Sequence, residues 1–176
     1  MLFMYDIYSC SLDDRCRYTL GRSGARKLLV VGLNPSTATQ EKSDTTVAKV
    51  EVVARQAGFD GFVMMNLYPV RATNHRTLPL HPDCDAIAEN LATIESVVAA
   101  ESSPVIWAAW GNSILGRDFF ASAAAEIVIK LQLSAPTWQH YGPLTVDGHP
   151  RHPSRLSYAW SFVPLDAKAY VDHIGT

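Results

Sequence analysis

The chain has 176 residues and a formal net charge of −2 at pH 7, with 48% hydrophobic and 18% charged side chains. This composition excludes an intrinsically disordered chain, and the length suits one buried core, so we expect a single domain over residues 1–176. Proteins that hold long nucleic acid mainly through phosphates are strongly basic overall. The charge argues against that class, although a local basic patch stays compatible with a nucleic-acid role.

The cysteines and the apolar runs indicate the compartment. Cys10, Cys16 and Cys84 form no CxxC pair and are odd in number, which favours reduced thiols over a disulfide or a zinc site. The first residues lack a basic segment and a long apolar segment, so no signal peptide is expected. No apolar run reaches the ~18 residues of a membrane span. We therefore expect a cytoplasmic protein with no membrane partner.

The first half of the chain reads as strands around one helix. Short strands are expected at 2–9 and 17–21, and the apolar, β-branched run 27–35 (KLLVVGLNP) is typical of a buried parallel strand. Asp44 can cap a helix that stops at Gly58. The apolar face of that helix is predicted at helical spacing: Val47, Val50, Ala54 and Ala57.

The second half continues the alternation. A buried strand is predicted at 61–70 and a strand at 104–111, with a helix from about 83 to 100 between them. The apolar face of this helix is predicted to be Ile87, Leu91, Ile94 and Val98. The segment 69–82 is long for a connection within a compact domain, which indicates a functional loop. Another helix is expected to begin near Asn112.

Strands alternating with helices predict an α/β fold. The stretch 126–133 fits a helical continuation and a strand equally well, and a last strand is expected within 138–146. We predict a single domain with a mostly parallel, four-stranded central sheet and helices on both faces. In such sheets the ligand crevice lies outside the carboxyl ends of the strands. Polar residues that follow different strands should therefore converge on one edge.

The segment 32-GLNPST-37 is the first candidate for such a crevice. Gly32 lets a ligand approach the backbone, and Asn34 offers both a donor and an acceptor. Ser36 and Thr37 could bind phosphate or cap a helix. Taken alone, the segment also fits an ordinary strand-to-loop turn. It is neither a GxGxxG motif nor a Walker A loop, so no cofactor is predicted.

Asn66 and the loop after it are the second candidate. An asparagine that closes an apolar run is costly to bury unpaired, so it either bonds the backbone or faces a ligand. Arg71, His75 and Arg76 on the following loop fit phosphate binding and a solvated basic loop equally well. Trp107 and Trp110 should point to opposite faces of a strand, so at most one of them lines the crevice; filling the core is the commoner role.

The turn 149-HPRHPSRLS-157 is the third candidate. The histidine pair lacks further metal ligands nearby, so no metal site is predicted. His152 lies on a proline-stiffened loop and is suited to donate a hydrogen bond to developing negative charge. His149 is expected to be structural, bonding a backbone carbonyl or facing solvent. Arg151 and Arg155 could contact phosphates.

Six motifs together resemble one known family. They are RYTLGRSG, GLNPSTA, DTTV, NLYPVRAT, AWG and GHPRHP, and the resemblance runs from about Cys16 to Leu156. Their order resembles the family catalogued as domain of unknown function 1643. The usual Asp-Pro-Thr of that family is Asp44-Thr45-Thr46 here, and its usual HPLYL reads HPSRL. The resemblance implies no established activity.

Three motifs are also similar to those of the uracil-DNA glycosylase superfamily: GLNPS, WGN and HPSRLS. This resemblance implies that Asn34 positions a water and that His152 stabilises the leaving group. It also implies that Leu156 fills the gap left by a flipped base and that Asn66 reads the base edge. Arg155 departs from the superfamily pattern, where a proline stands.

The resemblance implies a uracil-DNA-glycosylase-like fold and an N-glycosidic-bond hydrolase acting on a nucleotide or nucleic acid. Flipping a base out of a duplex costs a few kcal/mol, so single strands, damaged sites or free nucleotides suit this chain better than intact duplex. The expected substrate-binding residues are Gly32, Pro35, Ser36, Thr37, Asn66, Tyr68, Arg71, Trp110, Arg151, Arg155 and Leu156.

Two alternatives remain. One is an enzyme of another class that acts on a small phosphorylated nucleoside and holds its phosphate with Ser36, Thr37 and Arg71. The other is a nucleotide-binding or nucleic-acid-binding module without catalytic activity. Release of a free base would separate the hydrolase from both.

Overall fold

The computed structural model describes residues 4–175, and within them one seven-stranded sheet is packed with four α-helices. The strands are β1 (Ile7–Cys10), β2 (Arg17–Arg22), β3 (Lys27–Gly32), β4 (Gly61–Asn66), β5 (Val105–Ala108), β6 (Thr137–Tyr141) and β7 (Phe162–Pro164). The helices are α1 (Thr45–Gln56), α2 (Cys84–Ala99), α3 (Asp118–Lys130) and α4 (Ala167–Ile174). No helix in this part of the chain is long and apolar enough to cross a membrane.

The sheet is mixed, in the order β1-β2-β4-β3-β5-β6-β7. The four central strands, β4, β3, β5 and β6, run parallel, while β1, β2 and β7 pair antiparallel at the two sides. The α/β class is therefore confirmed. The predicted mostly parallel sheet of four strands corresponds to the centre of a larger, mixed sheet of seven strands. Only the short segment 23–26 joins β2 to β3, and a parallel crossover needs a dozen or more residues, so β2 runs antiparallel to the central strands.

Several predicted boundaries shift. The strand predicted at 2–9 is β1, which begins at Ile7, and residues 1–3 lie outside the described residues. The helix expected near Asn112 begins as a 3₁₀ turn before α3, and α3 takes up most of 126–133. The strand expected in 138–146 ends at Tyr141, because Gly142 turns the chain with a φ of 71°. No strand or helix was predicted for the residues of β7 and α4.

Helices cover both faces of the sheet, as the alternation of buried side chains predicted. In β3, Leu28 and Val30 pack in one cluster with the apolar face of α1. Leu29 and Val31 point the other way, into the cluster that contains α2, α3 and α4. All four side chains are completely buried, so this strand has no face in contact with water.

The carboxyl ends of the parallel strands lie at one edge of the sheet. Backbone pairing continues beyond them, since the amide of Leu67 donates to the carbonyl of Gly32 at 2.9 Å and that of Ala109 to Val31 at 2.8 Å. The segments that follow β4 and β5 are thereby held in register with the end of β3, next to the turn that precedes β7. This edge is where the predicted motifs come together.

Candidate functional site

A cavity of about 410 Å³ opens at this edge of the sheet. Its wall comes from β2, from the segments after β3, β4 and β5, from the start of α1 and from the turn before β7. The polar side chains that line it are Arg17, Asn34, Ser36, Asp44, Thr46, Thr73, His75, Ser113, His152, Ser154 and Arg155. Asn34 and His152, predicted from opposite ends of the chain, thus line the same cavity.

Asn34 is held in one orientation by backbone carbonyls. Its Nδ2 donates to the carbonyl oxygens of Ala72 at 2.9 Å, Pro35 at 3.0 Å and Val70 at 3.5 Å. With the nitrogen engaged in this way, its Oδ1 accepts no hydrogen bond from any described residue. The cavity therefore receives an oriented acceptor oxygen.

His152 is oriented by the turn that it begins. Its Nδ1 accepts the backbone N–H of Ser154 at 3.2 Å, and by this contact His152 caps the 3₁₀ turn Pro153–Arg155. The same nitrogen lies 2.8 Å from the Ser154 hydroxyl. A ring nitrogen that accepts an N–H carries no proton, so the neutral ring has its proton on Nε2. This leaves Nε2–H as a donor for a ligand.

The surroundings of His152 favour its neutral form. Burial lowers the pKa of His152 to about 4; the negative charge of Asp44 opposes this shift, and the positive charge of Arg155 and the nearby His75 add to it. The ring keeps part of its surface exposed to the cavity although protein atoms surround most of it. At neutral pH it is an uncharged hydrogen-bond donor.

Gly111 allows the His152 turn to approach the end of β5. Its backbone φ is 71°, a value that residues with a side chain rarely adopt. A Cβ at this position would lie 2.9 Å from the Cβ of His152. The same turn packs against α1, where Lys49 donates to the carbonyl of Ser154 at 2.9 Å. The glycine of the WGN motif thus fixes where the histidine of the HPRHP motif lies.

Gly111→Ala is expected to lower the melting temperature and displace His152. The positive φ alone costs roughly 1–3 kcal/mol, and about 1 kcal/mol corresponds to 2–4 °C in a chain of this size. Gly148→Ala is the matched control for thermal unfolding, because Gly148 has a φ of 81° and nothing within 4 Å of its built Cβ. Equal losses in the two variants would show that the contact with His152 sets no constraint.

Asn66 ends β4 and pairs with Gly32 at the end of the neighbouring strand β3. It is 1% exposed, and neither its Nδ2 nor its Oδ1 has a hydrogen-bond partner among the described residues. A Cβ on the neighbouring Gly32 would come within 2.9 Å of the Asn66 Oδ1, so Gly32 makes room for this side chain. Asn66 does not line the cavity. Gly32 does not line it either, and its lack of a side chain leaves space for Asn66.

Arg71 connects the loop after β4 to neighbouring segments by hydrogen bonds, and none of its N–H groups is left for a ligand. Its Nε and Nη2 bond Asp14, its Nη1 donates to the carbonyls of Ser36 at 3.0 Å and Ala38 at 2.9 Å, and its Nη2 also reaches the hydroxyl of Tyr8 at 2.7 Å. A guanidinium has five N–H donors, and these contacts use all of them. The expectation that Arg71 holds a phosphate therefore does not fit its geometry.

Three other predicted binding residues lie in the protein interior. Tyr68 and Trp110 are at most 1% exposed and pack in the core on the side of α3 and α4. The Tyr68 hydroxyl accepts the backbone N–H of Asp83 at 3.0 Å. Pro35 is also buried. Strand alternation and core packing turn these side chains away from the cavity, and Thr37, although exposed, does not line it.

His149 belongs to a buried chain of hydrogen bonds. Its Nδ1 lies 2.9 Å from the hydroxyl of Tyr170, which also accepts Nε1–H of Trp110 at 2.9 Å. The predicted partner, a backbone carbonyl or solvent, was therefore wrong for the ring, which bonds a tyrosine. The residue joins the turn to α4 and does not line the cavity.

The remaining candidates of the turn differ in what they offer a ligand. Arg151 donates to the carbonyls of Pro143 at 2.8 Å and Leu144 at 3.3 Å and lines a neighbouring cavity of about 490 Å³. Arg155 lines both cavities, and its guanidinium has no partner in the described part of the chain. Leu156 is half-buried against the core on the side of α1.

Two charged residues that line the cavity, Arg17 and Asp44, were not predicted to belong to the site. Arg17 is 2% exposed on β2, and the signal for it is an arginine inside an otherwise strand-like stretch. Asp44 was assigned to helix capping, and its Oδ1 does accept the amide of Val47 at 2.9 Å, but the side chain also lines the cavity. His75, one of the three basic residues named on the loop after β4, also lines the cavity. No cluster of three or more His, Cys, Asp or Glu suited to a metal occurs within residues 4–175.

Comparison with known proteins identifies the family of this chain. No curated protein and no solved structure matches the chain. One family model matches residues 17–154, from the buried arginine of β2 to the serine that orients His152. This match covers most of the chain, and the chain therefore belongs to the family described as Protein of unknown function (DUF1643).

Proposed function

We propose that this protein hydrolyses N-glycosidic bonds in a nucleotide or nucleic acid. One observation carries the proposal: Asn34 Oδ1 and His152 Nε2–H are both free, both are oriented by neighbouring backbone, and both line one cavity. The first is an acceptor that can hold a water. The second is a donor that can meet negative charge on a departing base.

The proposed reaction displaces the base with water. Water held by Asn34 attacks the sugar carbon C1′, a C1′–O bond forms, and the bond from C1′ to the base nitrogen breaks. The electron pair of the broken bond leaves with the base, whose developing negative charge accepts a hydrogen bond from His152. The proton that the water loses ends on the released base, so the products are the sugar hydroxyl and the neutral base.

Asp44 adds an electrostatic contribution to this proposal. Its carboxylate lines the same cavity, and its Oδ2 accepts the amide of Ala38 at 3.3 Å. Departure of a base leaves positive charge on the sugar, and a nearby negative charge stabilises that charge. Asp44 also opposes the lowering of the His152 pKa, so its field reaches the second catalytic group.

The pH dependence of base release is expected to have its acid limb near pH 4. His152 must be neutral to keep Nδ1 as an acceptor, and burial lowers its pKa from 6.5 to about 4. As the pH falls through that value, the ring gains a proton on Nδ1 and loses the contact from Ser154. A profile of kcat between pH 3.5 and 8 checks this, and an acid limb at pH 6.5 that disappears in the His152 variant would contradict it.

The similarity to uracil-DNA glycosylases belongs to this proposal. Two of the three motifs supply the pair of groups, Asn34 and His152, and the glycine of the third makes room for His152. A uracil-DNA-glycosylase-like fold is proposed on the same grounds. We also propose that the protein works in the cytoplasm, because its three cysteines are free thiols.

The test is a screen for released base with free nucleotides and with single-stranded oligonucleotides that carry modified bases. Release of a base, identified by chromatography, is the expected result. Turnover of a nucleotide without base release would favour the enzyme that acts on a small phosphorylated nucleoside. The phosphate site predicted for that enzyme does not fit the structure, because Arg71 already donates to backbone carbonyls. Binding without turnover would leave the binding module.

A further inference from the structure

Arg17 is a buried arginine that forms no ion pair with any described residue and leaves one of its N–H donors without a partner. It lines the cavity, yet only 2% of its surface is exposed. Its Nη1 donates to the carbonyl of Ala38 at 3.1 Å, while its Nε is buried and has no partner.

Such a placement is unfavourable for the protein alone. A buried charge is costly unless it is paired and hydrogen-bonded. Burial, together with the positive charge of Arg71, lowers the pKa of Arg17 to about 10, and the negative charge of Asp44 opposes this shift. The side chain is therefore still charged at neutral pH. The side from which a counter-charge can reach the guanidinium is the cavity.

Two further features give the cavity positive character. Arg155 lies on its wall with no partner in the described residues, and the amino-terminal end of the twelve-residue helix α1 contributes Thr46 and Val47 to the lining. The positive end of a helix dipole favours anions. Asp44 carries the one negative charge in the described lining, and both its oxygens already accept backbone N–H groups.

We propose that Arg17, together with Arg155, binds the phosphate of a free nucleoside monophosphate in this cavity. The phosphate subsite is inferred from these charges, whereas the nucleoside part rests on the proposed function. An arginine that is 2% exposed can be reached only by a group that enters the cavity. A terminal phosphate can do so, whereas an internal phosphodiester would have to bring chain on both sides. The volume of about 410 Å³ suits a small-molecule ligand.

The first measurement uses the wild-type protein. Calorimetry and thermal unfolding are carried out with inorganic phosphate, with the 5′-monophosphates of the common nucleosides and with the nucleosides themselves. Phosphate is expected to raise Tm, because a ligand that binds the folded state stabilises it. At least one monophosphate is expected to bind ~10-fold or more tightly than its nucleoside. Absence of both effects overturns the proposal.

The second measurement uses Arg17→Met. The carbonyl of Ala38 keeps a donor in this variant, because Nη1 of Arg71 also lies 2.9 Å from it. In buffer without phosphate, Tm is therefore expected to stay at or above that of the wild type. The Tm shift with phosphate should disappear, and the monophosphate should bind ~10-fold or more weakly.

Arg22→Met is the matched control for the Arg17 variant. Arg22 lies on the same strand but is exposed and pairs with Glu51 at 3.2 Å, so phosphate binding should be unchanged. Arg17→Lys keeps the charge and should retain part of the phosphate-dependent shift. An Arg17→Met protein that melts well below wild type, or that binds phosphate as the wild type does, overturns the proposal.

The outcomes for the subsite and for the proposed function are separable. Selective binding of monophosphates that Arg17→Met abolishes, without release of any base, would support the phosphate subsite and contradict the hydrolase. Base release from nucleoside monophosphates with equal kcat/KM in wild type and Arg17→Met would support the hydrolase and contradict the subsite.

Discussion

His152→Ala is expected to lower kcat for base release by ~10²–10³ while the protein stays folded, the usual loss when one preorganised donor to a developing anion is removed. The side chain contributes Nε2–H to the cavity, and its Nδ1 contacts lie within its own turn. Truncation therefore removes the acceptor of one backbone amide, that of Ser154, which can donate to water instead. Steady-state kinetics at neutral pH, with a thermal melt of the same sample, make the measurement.

His149→Ala is the control for this variant. His149 is buried next to Tyr170 and outside the cavity lining, so its loss should reduce Tm more than kcat. A buried hydroxyl that loses its partner costs about 1–3 kcal/mol. Equal losses of rate, or a larger loss at His149, would show that the catalytic histidine has been assigned wrongly. No loss of rate at either position would remove the donor role from this turn.

Asn34→Ala is expected to lose both activity and stability. The activity should fall by ~10² or more, because a displaced nucleophile is enough to cost that factor. The stability should fall because three backbone carbonyls, those of Pro35, Val70 and Ala72, share the Nδ2 donor that is removed. Kinetics measured well below Tm separate the two effects.

Asn34→Asp tests which half of the amide does the chemistry. Aspartate keeps acceptor oxygens for a water but places one of them against the same carbonyls, so Tm should fall at least as far as in Asn34→Ala. If the acceptor oxygen holds the water, the aspartate variant should nevertheless retain more activity than the alanine variant at a temperature where both are folded. The opposite order of activities would contradict the water-holding role of Oδ1.

The sequence predicts which segments reach the site better than it predicts which side chains do. Buried strands could be recognised from apolar runs, and parallel strands end at one edge, so Asn34 and His152 were expected at the cavity that they line. Strand β7 has three residues and carries no pattern of its own. Its pairing with β6 depends on a sheet that only the folded chain provides.

The arginines show why the remaining residues could not be predicted. Arg71 stands on a polar loop and looks free in the sequence, but Asp14 and Tyr8, more than fifty positions away, take up its donors. Arg17 looks like an ordinary strand residue, and only its packing against the loop after β3 buries it without an ion pair. Both outcomes depend on contacts distant in sequence, which local patterns do not encode.

The way in which Asn34 is held has a consequence for how this protein tolerates mutation. The three groups that orient its amide are main-chain carbonyls, which every type of residue supplies equally. Substitutions of Pro35, Val70 and Ala72 that keep the backbone path therefore leave the orientation of the amide unchanged. Insertions and deletions in the segments after β3 and β4 shift the carbonyls themselves, so we expect changes of length there to disturb the site more than changes of residue type.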